Sequence, residues 1–253
     1  MIEFRNVSFA YGDRDVLKDV SFTIHIDERV AVLGESGEGK TTILRLILGL
    51  LHPDSGEVRI DGRDLATVPE GEMHEIRMKF GIVFQQGALF DSLSVKENVA
   101  FCMREYSHRS EEEIDKVVRA VLSTVGLEHA IDLMPEELSG GMLRRVAIAR
   151  SLASCKSEMM LYDEPTSGLD PVNTDAIIKL IGDLARNGDG FIIITHDVLN
   201  AIRVADRFLF LRRGRLLCDG GREQLLTSCV PEVASFIATS LPDRSAEPQR
   251  TLQ

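Results

Sequence analysis

Apolar residues alternate with polar ones through the first third of the chain, then shift to helical spacing further on. Residues 2–7, 20–26 and 58–60 have the composition of strands, and polar clusters at 11–14 and 53–56 predict the turns that break them. Together they predict an antiparallel sheet. Residues 29–33 form a short apolar run that ends in a glycine loop, and 41–51 read as a helix. A further strand at 80–84 leads into a middle region that is mostly helical. There Ser110 is placed to cap a helix whose first turn carries Glu111, Glu112 and Glu113, at the positive end of its dipole. Ile114, Val117, Val118, Val121, Leu122 and Val125 keep the spacing of one helical face, which predicts packing rather than chemistry.

Two later strands, 159–162 and 191–195, flank a helix from Pro171 to about Arg186. Strand alternating with helix predicts a parallel sheet covered on both faces. One domain over residues 1–240 is expected, with a helical subdomain at about 86–158 and a polar tail at 241–253. Residues 230–239 read either as a frayed end or as a clasp on a second copy. No internal repeat is visible.

Composition narrows the function classes. Hydrophobic residues at 44% and charged ones at 27% are ordinary for a globular domain. A net charge of -11 with no Trp argues against a nucleic-acid partner, because a phosphate backbone needs a basic surface and bases need stacking platforms. Cys102, Cys155, Cys218 and Cys229 form no CxxC pair and no metal spacing, so reduced thiols are expected. The first fifteen residues are charged where a secretory signal needs an apolar segment, and no apolar run approaches the roughly 18 residues that span a bilayer. A cytoplasmic location is expected.

Gly34-Glu35-Ser36-Gly37-Glu38-Gly39-Lys40-Thr41 fits G-x-x-x-x-G-K-[ST] at every defined position, followed by Thr42. Glycines let backbone N–H groups converge on phosphate oxygens, and the following helix turns its positive end to them. Lys40 would supply charge to the β and γ phosphates of ATP, and the Thr41 hydroxyl would ligate Mg2+. Glu38 is unexpected beside a phosphate cradle: it either points to solvent or meets a cation across the site. Met159-Met160-Leu161-Tyr162-Asp163-Glu164 is a buried strand ending in two carboxylates, suited to hold Mg2+ through Asp163 and to polarise water with Glu164.

Leu138-Ser139-Gly140-Gly141-Met142 opens a helix over 143–153, and with it the chain resembles the ABC ATPases along nearly its whole length. The family's landmarks occur in family order: phosphate loop, Gln85 after a strand, LSGG, the Asp163-Glu164 strand, and His196 in Thr195-His196-Asp197. Ser167-Gly168-Leu169-Asp170 resembles the D-loop, and Tyr11 sits where an aromatic stacks on adenine. The resemblance implies an α/β fold: a P-loop NTPase (RecA-like) core with an N-terminal antiparallel β subdomain and an inserted α-helical subdomain. It also implies a homodimer holding each ATP between one copy's phosphate loop and the other's Ser139, Gly140 and Gly141. Gln85 would approach Mg2+ and the attacking water, and His196 the γ-phosphate. Met142 departs from the Gln most common at its place.

A single nucleotide domain without a long coiled-coil insertion resembles a detached transporter subunit. Gln86-Gly87-Ala88-Leu89-Phe90-Asp91-Ser92-Leu93-Ser94-Val95, with Glu97-Asn98-Val99-Ala100-Phe101 and Arg144-Arg145-Val146-Ala147, is similar to the ATPases of Mce-associated (Mla-type) lipid transporters. Polar-amino-acid importers are the nearest alternative. The resemblance implies ATP hydrolysis on the inner face of the cell membrane, a permease held in the groove around residues 85–93, and an Mce-domain component moving phospholipid between membranes.

Overall fold

The computed structural model describes residues 1–85, 87–153, 157–186 and 188–240. The chain opens with β1 (Ile2–Tyr11), β2 (Arg14–Ile24), β3 (Arg29–Leu33), α1 (Lys40–Ile47), β4 (Ser55–Ile60), β5 (Arg63–Asp64), α2 (Glu70–Arg77) and β6 (Phe80–Val83). Helices α3 (Val95–Tyr106), α4 (Glu111–Thr124) and α5 (Gly140–Leu152) follow, then β7 (Met159–Asp163), α6 (Pro171–Ala185), β8 (Gly190–Thr195), α7 (Val198–Val204), β9 (Arg207–Arg212), β10 (Arg215–Gly221), α8 (Arg222–Leu226) and α9 (Pro231–Ser240).

Two sheets form. An antiparallel one has the order β2-β1-β4-β5, and a larger one has the order β10-β9-β3-β8-β7-β6. In the larger sheet β3 lies parallel to β8 and β9, and β7 parallel to β6 and β8, while β10 turns back antiparallel on β9. Strands β7 and β8 are buried at every position, which is why they read as unbroken apolar runs rather than alternating ones. Their side chains divide by parity between two cores. Val30, Val32, Met159, Leu161, Ile192 and Ile194 face the antiparallel sheet and α1. Ala31, Leu33, Met160, Tyr162, Phe191 and Ile193 face α3 to α7 and α9. The phosphate loop and the Asp163-Glu164 pair lie at the C-terminal ends of β3 and β7, the end of a parallel sheet where ligands bind.

The expected elements form with shifted ends. Helix α1 stops at Ile47 rather than 51: Gly49 turns left-handed at φ 59°, and the N–H of Leu50 donates to the Arg45 carbonyl at 2.9 Å. Strand β2 begins at Arg14, six residues before the expected 20, because a register shift carries polar Lys18 and Asp19 through it and blurs the alternation. Ser110 caps α4 in a reciprocal box with Glu113, and Ile114, Val118 and Leu122 are buried as the spacing required. Residues 231–240 form α9, anchored on its own chain by buried Val233 and Ile237, so the frayed end is not what forms there. The tail at 241–253, Gln86 and Cys155 lie outside the described residues. Among the described residues no disulfide joins Cys218 to Cys229, and no helix is long and apolar enough to cross a membrane.

Candidate active site

A cavity of about 590 Å3 opens over the phosphate loop, lined by Tyr11, Arg14, Glu35, Ser36, Gly37, Gly39, Lys40, Thr41, Thr42, Gln85, Glu164, Ser167, His196, Phe236 and Ser240 among others. The loop is confined from behind. A Cβ on Gly34 would stand 2.6 Å from the Leu211 carbonyl oxygen, and Gly39, at φ 94°, sits against Val16. Only glycine satisfies both the space and the dihedral. Lys40 is buried, and its ammonium donates to the carbonyls of Gly34 and Glu35, each at 2.8 Å. Its Nζ also lies 3.6 Å from Glu164 Oε1. Burial pulls this ammonium below its ordinary value, with Glu164, Asp163 and Glu38 acting against the shift. Its two hydrogen bonds go to neutral carbonyls, acceptors that a phosphate can replace, with the Glu164 carboxylate at longer range.

The two carboxylates are in different settings. Asp163 is buried and accepts from the Thr41 hydroxyl at 3.0 Å, while burial raises its carboxyl above the usual range. A Thr hydroxyl and a carboxylate, with the Gln85 amide on the wall of the same cavity, are oxygen donors of the kind a hard divalent cation takes. Glu164 sits at φ 45°, in the left-handed region that costs a non-glycine residue energy, and its N–H donates to the Ile194 carbonyl at 2.9 Å. This turn points its carboxylate into the cavity, 3.0 Å from His196 Nδ1. Gln85 donates to the Ser167 hydroxyl across the same space at 3.4 Å. Tyr11, 44% exposed at the end of β1, is held at its hydroxyl by Arg45 at 3.2 Å and edge-on by Phe9.

Of the two expectations for Glu38, it does not point to solvent but meets a cation, Arg212. Its carboxylate accepts from the Arg213 backbone N–H and lies 3.6 Å from the Arg212 guanidinium, which also pairs with Glu35. Both of the loop's acids are thereby tied to the end of β9 and the β9–β10 turn, although Glu35 also lines the cavity.

Ser139, Gly140 and Gly141 are not in this cavity. Ser139 caps α5, with its hydroxyl accepting from the Met142 N–H at 3.4 Å, and Ser139 and Gly140 are exposed. A helix N-terminus of free donors therefore faces outward, where a second molecule can meet it. Gly141 is packed so tightly on α6 that a Cβ would stand 2.2 Å from Asn173 Oδ1.

Sequence reasoning assigned no role to Arg144. Its guanidinium is buried on α5 and donates to the Phe84 carbonyl at 3.1 Å and the Ser167 carbonyl at 3.4 Å. It ties the residue before Gln85 to the loop carrying Ser167. The buried side chain of Asn98 likewise holds the outer loop, accepting from the Phe90 N–H at 2.8 Å and donating to the carbonyls of Phe90, Leu93 and Ser94. Arg150 donates to the Gly87 and Ala88 carbonyls from the other side. Phe84 and Phe90 remain exposed on that surface. These contacts left no local sequence signal beyond polar residues on otherwise apolar helix faces.

Comparison with known proteins gives the wider setting. The ABC transporter family profile matches residues 17–167. The chain is 41% identical, over 95% of its length and 74% of the relative, to trigalactosyldiacylglycerol 3 of the Arabidopsis thaliana chloroplast. It is 39% identical to the intermembrane phospholipid transport system ATP-binding protein MlaF of Haemophilus influenzae, over 94% of this chain and 90% of that one. The fold matches the ATP-binding cassette MJ0796, solved as a post-hydrolysis dimer bound to ADP and Pi, with a TM-score of 0.79 at 34% identity, covering 87% of this chain and 98% of that one.

Proposed function

The chain belongs to the ABC transporter family as an ATP-binding subunit that works with a permease, and on that premise we propose that it spends ATP to move phospholipid between membranes. The observation that carries the catalytic part is the joint placement of Lys40, Thr41, Glu164, His196 and Gln85 around one cavity of nucleotide size, with Asp163 bonded to Thr41 at its edge. Lys40 exchanges the Gly34 and Glu35 carbonyls for the β and γ phosphates, while loop N–H groups hold the same oxygens. Thr41 and Asp163, with Gln85, are the residues that fit Mg2+, whose chemistry here is neutralisation of phosphate charge. Glu164 takes a proton from water as its oxygen bonds to the γ-phosphorus, and the bond to the bridging oxygen breaks to leave ADP. His196 orients the Glu164 carboxylate and reaches the γ-phosphate, and Tyr11 stacks on adenine.

A second copy supplies Ser139, Gly140 and Gly141 to the other side of the nucleotide. The outward-facing N-terminus of α5, absent from the cavity of its own chain, supports this. Loss of the γ-phosphate removes the shared ligand and lets the pair open. The loop at residues 87–94, pinned by Asn98 and Arg150 and adjoining Gln85, receives the permease. The phospholipid reading rests on the likeness to MlaF, and it brings with it an Mce-domain partner and a place on the inner face of the membrane. The test is reconstitution with the cognate permease in vesicles. Phospholipid should stimulate ATP hydrolysis several-fold, whereas stimulation by a polar amino acid and not by lipid would overturn the lipid assignment.

A further inference from the structure

Arg14 takes no part in the mechanism above, yet it lines the same cavity. It opens β2 directly opposite Tyr11 across the β1–β2 turn. Its guanidinium reaches over to the phosphate loop, with Nη2 3.5 Å from where a Cβ on Gly37 would stand. The side chain therefore spans from the aromatic end of the cavity to the phosphate end.

The other charged groups on the wall already have partners. Glu35 is paired with Arg212, Glu164 with Lys40 and His196, and Lys40 with two carbonyls as well. Among the described residues, the Arg14 guanidinium has no hydrogen bond or ion pair with any protein group. An unmatched cation beside a glycine loop, in a chain of net charge -11, is placed for an anion from outside. A guanidinium can moreover take two oxygens of one phosphate group at once.

The geometry points to Arg14 as a nucleotide-binding residue, a second cationic contact to the phosphate chain of ATP from outside the phosphate loop. It rests on the ATPase reading and deepens it. Because Arg14 is exposed and its side chain bonds none of the described residues, it contributes to ligand affinity and not to the fold. Its energy depends on phosphates, so it separates ATP and ADP from adenosine.

The experiment compares wild type, Arg14→Ala, Arg14→Lys and Lys40→Ala by calorimetric titration with ATP, ADP and adenosine at two salt concentrations. Arg14→Ala should weaken ATP about 10-fold, the scale of one charge-assisted contact. It should leave adenosine affinity and the thermal midpoint of the nucleotide-free protein unchanged, and Arg14→Lys should recover part of the loss. The loss should shrink at high salt, as expected of an exposed charge. ATP binding by Arg14→Ala within two-fold of wild type overturns the inference, as does an equal loss for adenosine, which would assign Arg14 to the base. A wild type that binds no ATP, or a Lys40→Ala variant that binds it fully, instead brings down the ATPase reading itself.

Discussion

Removing the Asn98 side chain tests whether the loop at residues 87–94 is a built surface. Asn98→Ala deletes four hydrogen bonds at once. Two of the stranded groups keep another partner: the Phe90 carbonyl still accepts from the Leu93 N–H at 3.1 Å, and the Ser94 carbonyl from the N–H of residue 98 at 2.9 Å. The Phe90 N–H and the Leu93 carbonyl lose the partner Asn98 gave them. An orphaned buried polar group costs about 1–3 kcal/mol, and the partial exposure of this loop favours the lower end, so a loss of about 2–4 kcal/mol is expected. Asn98→Asp should be worse than Ala, because its charge would face three carbonyl oxygens without a donor. Urea unfolding followed by far-ultraviolet circular dichroism reads the loss directly. In parallel, the variant should retain hydrolysis by the isolated ATPase but lose most of its stimulation by the permease. A stability within about 0.5 kcal/mol of wild type, with coupling intact, would refute the reasoning, since that is the range of ordinary surface changes.

Gly141→Ala places a methyl group against the Asn173 amide, which Asp170 holds at the start of α6. It should cost about 1–3 kcal/mol by overpacking and abolish ATP-driven pairing, while a single copy still binds ATP with wild-type affinity in calorimetry. Asp61 accepts from Lys79 and from the N-terminal ammonium, and both hold its carboxyl below the usual carboxylate range. A lowered folded value means the contribution is complete above the ordinary carboxylate pKa and is lost as pH falls through the folded one. The stability gap between wild type and Asp61→Asn should therefore be constant from neutrality downward and close only below about pH 4. The groups are exposed, so the gap is small; a gap that widens on acidification contradicts the sign.

What could be read from the sequence was contiguous. The phosphate loop, the Asp163-Glu164 strand end and the Ser139-Gly141 helix start each carry their chemistry within a few residues, and each lies at the end of the predicted element. The parallel core was legible because β3, β7 and β8 are apolar at nearly every position. Element ends were less so, since Gly49 and the shifted register of β2 act through backbone dihedrals that leave little mark on hydrophobic spacing. The left-handed turn at Glu164 was invisible, because a glutamate there does not advertise a positive φ. So was the anchoring of Glu38, which depends on Arg212 and Arg213 about 175 residues away in the chain. The clamps made by Arg144 and Asn98 join backbone carbonyls, and carbonyls have no sequence identity to recognise.

A nucleotide shared by two copies of the chain is tested most directly by mass in solution with ATP and Mg2+ present. Glu164→Gln keeps the shape of the site and removes the base, so it should lower turnover by roughly 100-fold or more. With ATP it should run at twice the single-chain mass by light scattering, and return to one chain with ADP. If it remains a single chain at saturating ATP the shared site is wrong, and if it hydrolyses ATP at the wild-type rate the role of Glu164 is wrong.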